Sequence, residues 1–257
     1  NFSASKSLLL ASSDIQKKIS PEFQGEKVYQ AYLLRILSWH EKKSNVCVDL
    51  PAENNLYVIG ESHALVSHGL QPEILGSNFV CETFLVMGCK QWHLGNNVRN
   101  KYKQKFERVF RSLPKCSEVL LAIGEIDCRL REGMIPYMDK SPERNIKEVI
   151  LNTVENYLNY ILEMNSRSEH NIIIQGVPCP VIETDNISEG QREELTDVIR
   201  QFNFELKNKS NRLGFGFLDV HKITDNGDGS SNNIWHLDGC HLSPEGMLEA
   251  WRKYSIN

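Results

Sequence analysis

Short, nearly unbroken apolar runs punctuate the sequence, and most of them stop at a glycine or a proline. Leu56-Tyr-Val-Ile59 ends at Gly60, the run from Glu82 to Met87 at Gly88, and Glu118 to Ile123 at Gly124. Asn171 to Val177 ends at Pro178-Cys-Pro180, and Phe215 to Val220 is followed by a Gly/Asp/Asn/Ser stretch to Asn233. Runs with so little polar alternation suit strands covered on both faces. Between them lie segments of helical period. One spans Glu26–Lys43, with Val28, Ala31, Leu34, Ile36 and Leu37 among its apolar positions. Another runs from Gly95 to Leu113, with Asn96 or Asn97 as N-cap. A third begins at Ser141-Pro142-Glu143 and runs to Asn165, a fourth covers Glu189–Ser210, and a last one begins at Ser243-Pro244-Glu245 and reaches Tyr254. Val46-Cys-Val48 reads as an edge strand, and Arg129–Lys140 as a loop over a site. Strands that alternate with helices predict an α/β domain: a three-layer α/β/α sandwich around a mostly parallel five-stranded sheet. Residues 51–257 form that domain in this reading, and residues 1–50 are an N-terminal extension whose one helix packs on the core.

With 257 residues, a core of useful size needs no covalent staples. A formal net charge of −4 lacks the basic excess that phosphate binding wants, so no nucleic-acid partner is expected. The basic run Arg99–Lys105 reads as a solvated helix face. None of the seven cysteines forms a CxxC pair, and their odd number favours reduced thiols over a disulfide framework or a zinc site. His236 and His241 lie close in sequence without an obvious third ligand, so no metal and no cofactor are expected. Leu8-Leu-Leu-Ala11 is too short for a secretory signal, and no run is long enough to cross a membrane. These features favour a cytoplasmic protein without membrane partners. A chain that starts at Asn1 also reads as a processed or excised piece.

Chemistry concentrates at two places. Ser62 follows the Gly60 break, at the tip of a buried strand, where α/β proteins place a nucleophile or a ligand contact. Far along the chain comes Trp235-His-Leu-Asp238-Gly-Cys-His241-Leu-Ser243-Pro244. Two residues separate Asp238 from His241, so a tight loop brings the carboxylate to one imidazole nitrogen and leaves the other as a base. A doubly wound sheet returns this loop to the edge that carries Ser62.

With these residues the sequence resembles the SGNH/GDSL superfamily of esterases and acyl hydrolases. Gly60-Glu-Ser62-His63 matches the family's first block and Asp238-x-x-His241-Leu-Ser243 its last. Gly88, or else Gly95, fits the second-block glycine. Gly124-Glu-Ile-Asp127 falls at the third block, and the string Gly124-Glu-Ile-Asp-Cys-Arg129 is similar to a variant found in a subgroup. The resemblance implies a flavodoxin-like fold and acyl transfer: Ser62 attacks an ester, His241 takes its proton and Asp238 orients the imidazole. Ser62 N–H and Gly88 N–H would hold the oxyanion. Where the family carries a third-block asparagine this chain has Ile126, which cannot donate a hydrogen bond. Arg129 or Asn96 is a candidate substitute donor. Arg129, Glu125, His63 and His236 are candidate substrate contacts, and Trp92, Trp235 and Tyr137 a candidate sugar platform. Asp127 reads as a loop anchor. The expected substrate is a small acyl ester, with carbohydrate O-acetyl suggested by the resemblance. An O-acyltransferase with the same triad and a carbohydrate-binding module without turnover stay open. The oligomeric state is not legible.

Overall fold

The computed structural model describes residues 5–7, 9–10, 24–44, 54–141, 143–182 and 187–256. It divides into two compact units, Asn1–Pro51 and Ala52–Asn257. The first unit contains helix α1, Gln24–Ser44, whose last turn carries Lys42 and Lys43 against the negative end of the helix dipole. The strand expected at Val46–Val48 lies outside the described residues.

The second unit is a three-layer α/β/α sandwich. Its strands are β1 (Asn54–Gly60), β2 (Glu73–Ile74), β3 (Ser77–Leu85), β4 (Glu118–Ala122), β5 (Asn171–Gln175) and β6 (Gly216–Leu218). They pair in the order β2-β3-β1-β4-β5-β6, parallel throughout except for β2 against β3. The register aligns Ile59, Leu121 and Ile174 across three strands, and Val58, Leu120 and Ile173 on the other side of the pleat. All six are buried, which explains the unbroken apolar runs.

Helices α3 (Lys101–Ser112), α6 (Ile146–Asn165) and α7 (Glu189–Arg212) cover the first of these rows. Phe106, Phe110, Val154, Leu158, Phe202 and Leu206 pack there into one core with Ile59, Leu121 and Ile174. The second row faces the layer of α9 (Pro244–Tyr254), where Met247, Ala250 and Trp251 are buried. Each such aliphatic or aromatic side chain contributes about 1.5–3 kcal/mol by leaving water.

Several elements depart from the sequence expectation, each for a local reason. Among the described residues the sheet has six strands, because β2 is a two-residue strand too short to show a period. It joins β3 through Leu75 and Gly76, both at positive φ, a two-residue hairpin turn. Strand β3 runs Ser77–Leu85, several residues earlier than the apolar count placed it. The helix expected from Gly95 starts only at Lys101, as α3, and a separate short helix, α2 (Gln91–Gly95), ends where it was expected to begin. The cap of α3 is Asn100, whose Oδ1 accepts from Tyr102 N (3.1 Å) and Lys103 N (3.0 Å); neither Asn96 nor Asn97 caps it. Helix α6 starts at Ile146 behind Asn145, not at Ser141. The expected loop at Arg129–Lys140 contains α5 (Met134–Asp139) and follows the single turn α4 (Glu125–Cys128). A short helix, α8 (Val220–Thr224), follows β6. None of the described helices is long and apolar enough to cross a membrane.

From β1 the chain goes one way to β3 and the other way to β4, β5 and β6. The carboxyl end of β1 is therefore the switch point at which α/β sheets open a crevice. Ser62 stands there.

Candidate active site

Backbone geometry fixes Ser62 before any side chain acts. A Cβ on Gly60 would stand 2.2 Å from the Ala122 carbonyl oxygen, so only glycine lets β1 and β4 end this close together. Glu61 then caps a 3₁₀ turn, Ser62–Ser67, its Oε2 accepting from His63 N at 3.2 Å. Ser62 is the first residue of that turn and is buried.

The partner loop is fixed just as firmly. His236 and Leu242 form an antiparallel bridge, and Ser243 N donates to Trp235 O at 2.7 Å. Inside this narrow loop Asp238 Oδ1 accepts from Cys240 N (3.0 Å) and His241 N (2.7 Å). Ser243 Oγ caps α9 by accepting from Gly246 N at 3.0 Å, and Pro244 follows as the first helical residue.

The structure brings Ser62, His241 and Asp238 together. Ser62 Oγ is 2.9 Å from His241 Nε2, and His241 Nδ1 is 2.9 Å from Asp238 Oδ2. Burial works against a charged His241, but the Asp238 hydrogen bond, joined by Cys240, outweighs it and raises the imidazole pKa above its usual 6.5. Burial also opposes ionisation of Asp238; its bonds to His241 and to two backbone N–H groups win and hold it below the usual carboxylate range.

Glu61 was not foreseen as part of this site. Ser62 Oγ donates to its Oε2 at 2.7 Å, so the hydroxyl has two acceptors within reach. When His241 is protonated, Nε2–H donates to Oγ and the hydroxyl turns to Glu61. When His241 is neutral, with its proton on Nδ1 toward Asp238, the hydroxyl can face Nε2. The signal in the sequence was a carboxylate one residue before the candidate nucleophile.

The four expected substrate contacts separate. His63 lies against His241, ring centroids 4.6 Å apart, and its Nε2 is 3.5 Å from Glu125 Oε2. Burial disfavours its charge, yet Glu61, Cys240 and Glu125 together raise its pKa well above 6.5. Glu125 is half-buried, which opposes ionisation, but His63 and Arg129 bring its pKa down to about 2. Arg129 Nε donates to both Glu125 oxygens (2.9 and 2.8 Å), another guanidinium nitrogen lies 2.7 Å from Oε2, and Nη1 donates to Glu132 at 3.3 Å. Arg129 is thus spent on carboxylates. His236 Nδ1 meets Ser231 Oγ at 2.9 Å, on the bridge that closes the His241 loop.

Gly88 sits in the turn after β3 at φ +70, a left-handed conformation that other residues rarely adopt. Ile126 is buried in α4. Its neighbour Asp127 anchors two segments, accepting from Gln91 N (2.7 Å) and Trp92 N (3.1 Å) at the start of α2. Beside that anchor lies a cavity of about 550 Å³, lined by Trp92, Tyr137, Asn96, Asn152 and Asn156 among others. Trp92 and Tyr137 are both exposed there, whereas Trp235 is not part of the lining; its carbonyl and Cβ pack against Gly246.

No protein-family model matches the sequence, and no curated protein matches it. The chain is similar to solved structures of GDSL-type lipases. A GDSL-like lipase from Bacteroides thetaiotaomicron VPI-5482 is 14% identical, with 86% of this chain and 96% of that one covered and a TM-score of 0.47. A member of the lipolytic protein G-D-S-L family from Veillonella parvula DSM 2008 is 13% identical, covering 79% and 96%, with a TM-score of 0.43. Phospholipase A1 from Streptomyces albidoflavus NA297 is 13% identical, covering 78% and 99%, with a TM-score of 0.41.

Proposed function

We propose that this chain is a serine ester hydrolase that cleaves a small acyl ester with Ser62 as nucleophile. The observation that carries the reading is the unbroken relay from Ser62 Oγ to His241 Nε2, 2.9 Å, and from His241 Nδ1 to Asp238 Oδ2, 2.9 Å. His241 takes the Ser62 proton as Oγ bonds to the acyl carbon. Asp238 stabilises the imidazolium, and the N–H groups of Ser62 and Gly88 receive the oxyanion. His241 then returns the proton to the departing alkoxide. Water, deprotonated by the same imidazole, releases the acid and restores Ser62.

A carbohydrate ester, O-acetyl above all, is the substrate class we infer. None of Ser62, His241 and Asp238 lines the cavity that Asp127 borders, but its two exposed aromatic rings and four asparagine amides suit a sugar, and we assign it to the carbohydrate part of such an ester. A sugar hydroxyl in place of water would make the same site an acyltransferase. Ile126 and the engagement of Arg129 by Glu125 favour a second reading, a carbohydrate-binding module without turnover.

A fluorophosphonate probe separates these readings. The expected result is one adduct per chain, on Ser62, found by peptide mass mapping. Folded protein that takes up no probe is the binding module instead. Turnover also has an expected pH dependence. The base must be neutral, and the environment of His241 raises its pKa above 6.5. So kcat/KM is expected to rise with pH through a midpoint above 6.5 and then level off. A profile flat from pH 5 to 9 removes His241 as the base.

A further inference from the structure

One thiol in the His241 loop has no part in the relay, yet it sits within reach of two imidazoles. Cys240 Sγ is 3.4 Å from His241 Nδ1, and donor atoms of His63, Cys240 and His241 all lie within 4.8 Å of one another. The residues come from two separate segments. The Ser62 turn supplies His63, and the Asp238 loop supplies the other two. In sequence they are 177 and 178 positions apart, so no spacing motif announces them.

We propose that His63, Cys240 and His241 form a binding site for a soft divalent cation of the zinc class, and that its occupancy switches the relay off. One thiolate with two imidazoles is a donor set that selects such ions over magnesium or calcium. Zinc–sulfur and zinc–nitrogen bonds of about 2.3 and 2.0–2.1 Å place donors on one tetrahedral ion about 3.3–3.8 Å apart. The Sγ–Nδ1 distance of 3.4 Å already satisfies this. Asp238 Oδ2, 2.9 Å from the same nitrogen, borders the fourth position. Cys240 is only half-buried, which leaves the site a way in from solvent.

Coordination forms bonds from the metal to Cys240 Sγ, to His241 Nδ1 and to one nitrogen of His63. The thiol proton leaves to solvent, and His63 binds through its neutral imidazole. With the metal on Nδ1, the single proton that neutral His241 held there toward Asp238 moves to Nε2. That nitrogen then faces Ser62 as a donor and cannot act as its base. One charge effect suits the exchange. Glu61 and Glu125, the acids beside His63, complement the incoming positive charge.

The cobalt and alkylation arms of the test read binding without reference to turnover, so they stand even if the hydrolase reading falls. Chelator-treated protein is titrated with Co2+ and followed by absorption. The expected result is one ion per chain, with a thiolate-to-cobalt charge-transfer band in the near ultraviolet and visible bands of tetrahedral strength. Cys240→Ser removes the charge-transfer band and weakens Co2+ binding by at least about tenfold; Cys116→Ser, at an exposed thiol, leaves both unchanged. In the unmodified protein, Zn2+ slows alkylation of Cys240 by iodoacetamide and reversibly inhibits ester hydrolysis. The proposal is overturned if no thiolate–cobalt band appears, if the band survives Cys240→Ser, or if Zn2+ leaves alkylation of Cys240 unchanged.

Discussion

Replacing Ser62 by Ala lowers ester hydrolysis by roughly 10^4–10^6-fold, the loss that follows when a nucleophile is removed from a relay that acts as a unit. The fold stays. Ser62 is a small residue at the start of a capped turn, and Ala retains its Cβ. Glu61 loses one hydrogen bond but keeps the other, from His63 N. The cost is about 1 kcal/mol, too little to unfold a domain of this size. What remains of the rate comes from binding and the oxyanion donors. The measurement is kcat/KM on a small aryl acetate, with near-ultraviolet circular dichroism to show that the tertiary structure is intact. A variant within tenfold of the parent rate would end the assignment of Ser62 as nucleophile.

Gly60→Ala has the largest expected effect on stability. The added Cβ lands 2.2 Å from Ala122 O and 2.9 Å from Ala122 Cβ. The contact is backbone in a central strand pair, so no rotamer relieves it. Separating β1 from β4 weakens the hydrogen bond from Glu61 N to Ala122 O, 3.3 Å, and shifts the turn that presents Ser62. A loss of about 3 kcal/mol or more is expected, a fall in Tm of roughly 6–12 °C. Gly190→Ala in α7 is the control. A Cβ there meets nothing within 4 Å and its φ is ordinary, so stability should hold or rise slightly. Equal Tm values for Gly60→Ala and the parent would contradict the close approach of the two strands.

What was legible in the sequence follows the physics of each element. Ile59, Leu121 and Ile174 each lie in a run with no polar alternation, and burial on both faces is what such runs record. The layer architecture could therefore be read. The start of α3 could not. Residues 95–100 continue an acceptable helical period, and only the tertiary position of Asn100 shows which asparagine caps. Strand β2 was out of reach because two residues carry no period.

At the candidate site, Asp238 and His241 were legible as a pair because both sit in one short loop, where spacing limits geometry. Arg129 was harder. Its ion pair with Glu125 follows from a four-residue spacing, but the completeness of that engagement depends on both side chains folding back onto one turn. The nearness of His63 to Cys240, and the hydrogen bond from Ser62 to Glu61, depend on how two distant loops dock. Nothing in a linear pattern encodes that.

The hydrogen bond between Ser62 and His241 spans 179 positions, and this has a consequence for the life of the chain before it is finished. A loop of that length is closed by the docking of the sheet and of α9, since one side-chain hydrogen bond of about 1 kcal/mol could not hold it. During synthesis Ser62 emerges early and remains an inert alcohol, with no imidazole to take its proton, until residue 241 has been added and folded back. Under the proposed activity, the nascent chain is harmless to esters around it, and reactivity arrives as one of the last properties of the domain.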